Sequence, residues 1–556
     1  MKRFLLSLAL GCVIAAPLRG DVPAPAADDP VAAELEKDVL LRALVDELDR
    51  NQAKLRMEGL EDPYFLQFRL EDAARSYAVA SLGAIVGSNA NRSRNLTTQV
   101  RVGSYELDNT NYRGDGYHRA GRDAAVPLED DYAVIRQAIW WATDRNYKDV
   151  LEAFAQKQAF MKTKVIEEKP NDFAAAPVAV HFEPPAEPPA DVAPLEKIAR
   201  EVSAVFRDYP DVQNSQAWIQ SEGGTQYLVN SEGTRIRTAG RVYTCNVYAV
   251  VQADDGMPLA DVLTVYARRL EDLPSTEELI RRTRHMTDRL LAVRSAPTLD
   301  SYTGPVLFEA EAAAELFAER FAGNFAGGQR PVGSRTPPDD FSRKLNRRVL
   351  PRFMNVVDDP TVETLHGEPA LGHYTYDDEG VKARSVPLIE DGRLKALLMS
   401  RNPSREFSES TGHGRGGRTT MGCLIVTADD PADPDSLRKE LIEAAEDEGL
   451  EYAIRIEATG AAGLRAPLVV HKVYPDGREE RVRGVEIGQF DLKAFKRMLA
   501  AGDQPYVLNS SSGSGRTLVV PALLFEELDL AKMDRDFDTP PILPSPLARM
   551  NATTEP

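Results

Sequence analysis

Residues 376 to 381 read Tyr376-Asp-Asp-Glu-Gly-Val; Val386-Pro-Leu-Ile-Glu-Asp-Gly-Arg-Leu-Lys follows, then Ser400-Arg and Ser410-Thr-Gly-His-Gly-Arg. Short apolar runs here alternate with glycine turns, of which Glu390-Asp-Gly is the plainest, and the same pattern recurs at Pro475-Asp-Gly. Outward from this stretch, the chain after Gly304 gives a helix over 310–324 and a loop-rich region to Arg352. Short β runs come next, interrupted by helices over 435–448 and 492–501. A β-rich domain with a few covering helices is expected over residues 300–545.

Upstream, a connector at Ala296-Pro297-Thr298 marks a boundary. Before it, residues 195–296 read as an α/β domain. It comprises a helix over 195–206, a strand over 215–222, and a hairpin of Tyr227-Leu-Val-Asn and Thr234-Arg-Ile-Arg-Thr about Ser231-Glu-Gly. A strand over 243–252 and a long charged helix over 259–293 complete it. The run Phe182-Glu-Pro-Pro-Ala-Glu-Pro-Pro-Ala makes residues 167–194 a Pro-rich extended connector. Residues 31–166 form a further helical and β region. Leu35, Val39, Leu44, Leu48 and Leu55 recur at helical spacing up to Gly59, β-like runs lie at 64–70, 76–82 and 97–107, and a helix covers 131–163.

With 556 residues and 43% hydrophobic content, the chain has material for two or three domains. A formal charge of −19 argues against a nucleic-acid-binding surface, which needs clustered Lys and Arg. Lys2 and Arg3, the apolar run Phe4 to Ala16 and the small residues up to Gly20 have the order of a signal peptide, residues 1–20. Export to the periplasm or the extracellular space is the expectation, with no membrane span in the mature chain. Cys12 fits lipidation poorly, because Ala9 stands where an aliphatic residue is expected. Cys245 and Cys423 then remain in apolar, strand-like surroundings, as buried thiols rather than a disulfide framework.

The order of Asn355-Val-Val-Asp-Asp, Tyr376-Asp-Asp-Glu-Gly-Val, Val386-Pro-Leu-Ile-Glu-Asp-Gly-Arg-Leu and the Gly/Arg loop around His413 resembles the C-terminal domain of the TldD/PmbA (TldE) metallopeptidase-related family. Tyr227-Leu-Val-Asn-Ser-Glu-Gly is similar to the family's Asn-Ser-x-Gly hairpin. The resemblance covers about residues 195–530 and leaves 31–190 as an added or diverged portion. It implies an α+β fold, with N-terminal α/β domains followed by the β-rich C-terminal domain.

In the TldD branch, zinc is held by an HExxxH helix and a distant Cys. The segment Pro305 to Asn324 lies where the family has that helix. Residue by residue, Ala318 takes the first His position, Glu319 the Glu position, and Gly323 or its neighbour Asn324 the second His position. Asn509-Ser-Ser-Ser-Gly-Ser-Gly-Arg-Thr resembles the segment carrying the Cys, with Ser and Gly in its place. The resemblance therefore implies no metal ligands and no cofactor in this chain, zinc being the family's own. Glu319 is left as the one catalytic candidate, against the commoner reading of a solvated helix-face carboxylate. Two functions follow: proteolysis or processing of unfolded peptides, or a non-catalytic role as a homodimer or as a heterodimer with a zinc-bearing TldD-like subunit. The PmbA branch likewise lacks HExxxH.

Other groups compete weakly. His366, His373 and Asp377 would be the residues of a rebuilt metal site, Asp377-Asp-Glu could attract a hard cation, and Ser510 to Gly515 could offer amides to an anion. Turn and surface roles are the commoner meaning of each. No Gly-x-Ser-x-Gly elbow is present.

Overall fold

A computed structural model describes residues 30–113, 121–163, 169–188, 191–334, 341–488, 490–511, 513–533, 537, 543 and 545–548. The expected signal peptide, with Cys12, lies outside the described residues. The architecture is α+β, with 28% helix and 37% strand.

The N-terminal half opens with helices α1 (Pro30–Lys37) and α2 (Val39–Lys54), broken at Asp38, whose carboxylate accepts the Leu41 amide at 3.0 Å as an N-cap. Strands β1 (Pro63–Ser81), β2 (Ala84–Val102) and β3 (Gly121–Ala125) follow, then α3 (Tyr132–Lys162) and β4 (Val180–Phe182). Helix α4 (Val192–Ala204), strands β5 (Asn214–Asn230), β6 (Arg235–Gln252) and β7 (Pro258–Ala267), and α5 (Thr276–Arg294) complete this half. All seven strands lie in one sheet of order β3-β2-β1-β5-β6-β4, with β7 also pairing β6.

This sheet revises several sequence expectations. The runs 64–70 and 76–82 are one strand, as are 215–222 and 227–230, because the intervening polar and glycine residues continue the ladder. Ala73 pairs with Gly224 and Ala74 with Gly223. A Cβ on Gly223 would collide with the Gly240 carbonyl, and one on Gly224 with the Asp72 carbonyl, so the crossing of these strands requires glycine. Asp72, in the middle of β1, is neutralised by Arg92 and Arg94 of β2. Of the expected 167–194 connector, the described residues 169–188 carry no helix, yet Val180–Phe182 pairs in parallel with Arg235–Arg237 and Phe173 is buried, so this part is docked rather than free, and Val192 already opens α4. The helix expected over 259–293 begins only at Thr276. Its first third is β7, whose alternating Leu259, Asp261, Leu263 and Val265 pair along β6, and Pro274-Ser275 starts the helix.

Two clusters form at opposite ends of the long strands. Leu66, Phe68 and Leu70 of β1 pack with α2 and α3, while Ala78 and Ala80 pack with α4 and α5.

The C-terminal half contains β8 (Tyr302–Phe308), α6 (Ala310–Arg320), β9 (Met354–Asp358), β10 (Thr364–Leu365), β11 (Glu368–Pro369), β12 (Val386–Glu390) and β13 (Arg393–Leu394). Next come β14 (Gly414–Arg415), β15 (Arg418–Thr419), β16 (Cys423–Ala428), α7 (Pro434–Asp447), β17 (Ala453–Ala458), β18 (Val469–Val473) and β19 (Glu479–Val482). The last strands are β20 (Val485–Ile487), β21 (Met498–Ala501), β22 (Tyr506–Ser510), β23 (Arg516–Val520) and β24 (Leu523–Lys532). They form a six-stranded sheet, β13-β12-β9-β16-β23-β22, and a seven-stranded sheet, β19-β18-β17-β8-β24-β20, with β21 on β24. The helix expected over 492–501 is one 3₁₀ turn followed by β21, because Met498 to Ala501 finds a partner in Leu523 to Phe525.

Helix α6 packs against β22 and β23 of one sheet and β17 of the other. Around it, Phe308, Phe317, Phe321, Phe325, Phe495 and Phe525 build the largest core cluster. Full burial of each such ring contributes about 1.5–3 kcal/mol. Helix α7 covers Leu307 and Leu524 from the far side. No helix among the described residues is long and apolar enough to cross a membrane.

Candidate functional site

The Asp377-Asp-Glu-Gly turn is a junction between the two halves. Asp377 is almost wholly buried and accepts the amides of Glu379 (3.0 Å), Val381 (2.9 Å) and Gly414 (2.9 Å). Burial, and then the neighbouring Glu379 carboxylate, pushes its pKa up. Asp378 pairs with Arg69 of β1 at 2.5 Å, and its carbonyl accepts from Gln67 at 3.1 Å. Glu379 accepts the Arg401 amide at 2.5 Å. The Arg401 guanidinium, fully buried, forms a two-point pair with Glu232 (2.8 and 2.6 Å) and donates to the Ala174 carbonyl at 2.7 Å. Thus the Asn-Ser-Glu-Gly hairpin, the docked connector and the Ser-Arg motif meet at one guanidinium. The sequence singled out these motifs; their mutual contact is decided by the fold.

The histidines belong to this scaffold. His413 donates to the Asp358 carboxylate (3.1 Å), both fully buried, and its other ring nitrogen meets Thr411. His373 bonds the Pro360 carbonyl at 3.0 Å, while His366 sits in a left-handed turn at φ 49°. With Asp377 committed to backbone amides, His366, His373 and Asp377 do not assemble into a site. Among the described residues no group of three or more His, Cys, Asp or Glu is arranged to hold a metal ion. Cys245 and Cys423 are free and buried, and burial pushes both thiols up to about 12.

The open chemistry lies instead beside α6. Glu311, Glu315 and Glu319 recur at four-residue spacing on one face of this helix. Glu311 approaches Arg289 of α5 at 3.7 Å, and Arg289 is held by Asp261 of β7 through contacts of 3.0 and 3.1 Å. Burial pushes the Glu311 carboxyl up, against the pull of Arg289, and Glu315 is raised by burial and then by Glu319. Tyr506 of β22 has its pKa raised by burial and then by Glu311, Glu315 and Glu368. Since Glu311 and Tyr506 keep 36% and 38% exposure, these groups remain open to solvent rather than sealed in the core. Farther along, Glu457 is lowered to about 2, chiefly by its hydrogen bond with His471 at 3.2 Å, despite burial. The carboxylates at 311 and 315, Tyr506, and the Arg289–Asp261 pair escape sequence reading because they come from four separate elements.

Glu319 is 51% exposed and pairs with Arg320 at 3.3 Å. Ala318 packs against the phenylalanine cluster, whereas a Cβ at Gly323 would meet nothing within 4 Å. Of the serine- and glycine-rich segment after β22, Ser511 hydrogen-bonds Tyr266 of β7, and the Gly515 carbonyl accepts from Arg415 at 2.9 Å.

Comparison with known proteins bears on the fold and the family. Residues 301–532 match the PmbA/TldA metallopeptidase C-terminal domain and residues 187–291 its central domain. A metalloprotease of Methanothermobacter thermautotrophicus is 28% identical over 241 residues, 41% of this chain and 48% of that protein. A Methanocaldococcus jannaschii metalloprotease is 43% identical over 76 residues, 14% of this chain and 16% of its own length. The chain thus matches under half the length of these relatives. Among solved structures, TldE from Thermococcus kodakarensis superposes with a TM-score of 0.56 at 15% identity, over 84% of this chain and 97% of that one. A proposed DNA gyrase modulator from Thermotoga maritima gives 0.58 at 16% identity, over 88% and 100%. Their folds extend across the N-terminal half as well. The matched domains, in their order, make this chain a member of the TldD/PmbA family of metallopeptidase-like proteins.

Proposed function

We propose that this chain is an exported TldD/PmbA-type protein that engages unfolded peptide segments along the face of α6 carrying Glu311 and Glu315 and has no zinc ion of its own. The observation that carries the reading is the donor set of that helix. Ala318 and Gly323 have no side-chain donor atom where the family has histidines, the alternative Asn324 brings a carboxamide bonded to the Phe321 carbonyl rather than an imidazole, and Glu319 faces solvent beside Arg320. Zinc requires about four N, S or O donors in tetrahedral array, and these residues do not fit it. A second reading, a non-catalytic subunit beside a zinc-bearing TldD-like partner, is favoured by the joint loss of ligand residues at Ala318, Gly323 and Ser510 to Gly515.

Metal analysis of the purified chain, alone and after co-expression with an HExxxH-bearing relative, tests both. Zinc should be substoichiometric in the chain alone. Stoichiometric zinc, with a chelator-sensitive peptidase activity that drops about 10²–10⁴-fold in Glu319→Gln, would refute the proposal. N-terminal sequencing of mature protein that still begins at Met1 would remove the export element.

A further inference from the structure

We infer that the groove between α2 and α3 is a docking site for an acidic peptide segment carrying an apolar or aromatic side chain. Two adjoining cavities, of 320 and 520 Å³, share Arg50 and Trp140 and so form one groove. Each lies in the size range of pockets that take small ligands or peptide side chains.

The charge of this groove is opposite to that of the molecule. Asp46, bonded to Tyr132, and Glu61 and Asp62, which act on Tyr147, lie at its margins, but the groove itself is lined by the cations Arg50, Lys54, Arg56, Arg136 and Lys148 and only the anions Glu47 and Asp144, in a chain of formal charge −19. Both anions are already neutralised. Glu47 receives Arg50 at 2.8 Å and Arg136 at 2.7 Å, and Asp144 receives Lys148 at 2.6 Å. Lys54 has no ion-pair partner among the described residues, and the one bond drawn from the Arg56 guanidinium goes to the Ala53 carbonyl. Two exposed cations are therefore left facing a groove whose wall is Trp140, with Met57, 42% exposed, at its end. Trp141, on the outer face, is 52% exposed with Arg145 stacked on its ring.

This combination selects its occupant. Cations attract a carboxylate-rich chain, and a half-buried indole, of a residue type enriched among interface hot spots, gives an apolar side chain an anchor beside the adaptable Met57 thioether. Lys54 and Arg56 make the charge contacts, and Trp140 makes the apolar one.

The test uses the full chain and fluorescein-labelled acetyl-Glu-Glu-Phe-Glu-Asp-Glu, with a lysine-for-acid counterpart and a single-stranded oligonucleotide of equal charge. Anisotropy should rise with the acidic peptide, not with the lysine peptide, and the affinity should weaken as ionic strength rises from about 0.05 to about 0.3 M. The double variant Lys54→Glu, Arg56→Glu should weaken binding at least tenfold. Both residues are exposed, so unchanged circular dichroism will accompany the loss. Trp140→Phe, which keeps an aromatic wall, should retain part of the affinity and remove the peptide-induced change in indole emission. No binding of the acidic peptide, binding indifferent to the double variant, or equal capture of the oligonucleotide through Lys54 and Arg56 would each overturn the assignment.

Discussion

Arg401 joins the two halves through a single planar group. Its guanidinium sits 4.0 Å from the centre of the Phe173 ring and holds both carboxylate oxygens of Glu232. Removal of one partner of such a pair leaves the other uncompensated in a low-dielectric site, at a cost of about 3–5 kcal/mol. Arg401→Ala should therefore lower the urea midpoint far more than Arg401→Lys, which keeps the charge but loses the two-point geometry. Equal midpoints for wild type and Arg401→Ala would show that the junction contributes nothing. At the same scale, burial raises the Cys245 and Cys423 thiols to about 12, so the thiolate fraction at pH 8 is negligible. Iodoacetamide at that pH should label neither cysteine in the native protein and both after denaturation, as read by intact mass.

Among the elements, the long hairpins depend on the close approach at Gly223 and Gly224, where a side chain has no room between β5 and its neighbours. Gly224→Val should push β1 from β5 and abolish soluble folded protein or depress Tm sharply; a Tm within a degree or two of wild type would contradict the pairing. Strand β17 offers a pH test. The Glu457 pKa is depressed by His471, so its stabilising contribution is present above the ordinary carboxylate range, near pH 4.5, and is lost as pH falls towards about 2. Glu311 on α6 has the opposite sign, because its pKa is raised: it favours the folded state while protonated, and that advantage fades as pH rises through its folded pKa. Denaturant midpoints measured from about pH 5.5 to 3.5 should fall less steeply in Glu457→Gln and more steeply in Glu311→Gln than in wild type.

At the scale of the whole molecule, the segment linking the halves is tied down rather than loose. Leu299 donates to the Arg483 carbonyl at 2.9 Å, Arg483 reaches the Ala296 and Pro297 carbonyls at 2.8 and 3.0 Å, and it pairs with Asp255 at 2.8 Å. Ala296 and Leu299 are buried. Trypsin should thus cut poorly after Arg294 in the native protein, and Arg483→Ala should accelerate that cut, read as fragments starting at Ser295. Rapid cleavage in wild type would show that the segment opens without the guanidinium clamp.

What the sequence determined by itself is what local pattern encodes. The Asp-Glu-Gly and Asp-Gly turns need glycine at positive φ, met by Gly380 at 79° and Gly392 at 71°, and the helices over 132–162 and 434–447 announce themselves by caps and apolar period. Motif order then identified the family. Residues 259–267 and 498–501 could not be read locally, because strand or helix there depends on whether β6 and β24 offer a free edge. Tertiary structure alone brought Glu232 to Arg401, Asp261 and Arg289 to Glu311, and Arg50 to Trp140. Each pair is far apart along the chain, and the geometry of a long-range contact is fixed only when sheets and helices pack into cores that no single window of sequence contains.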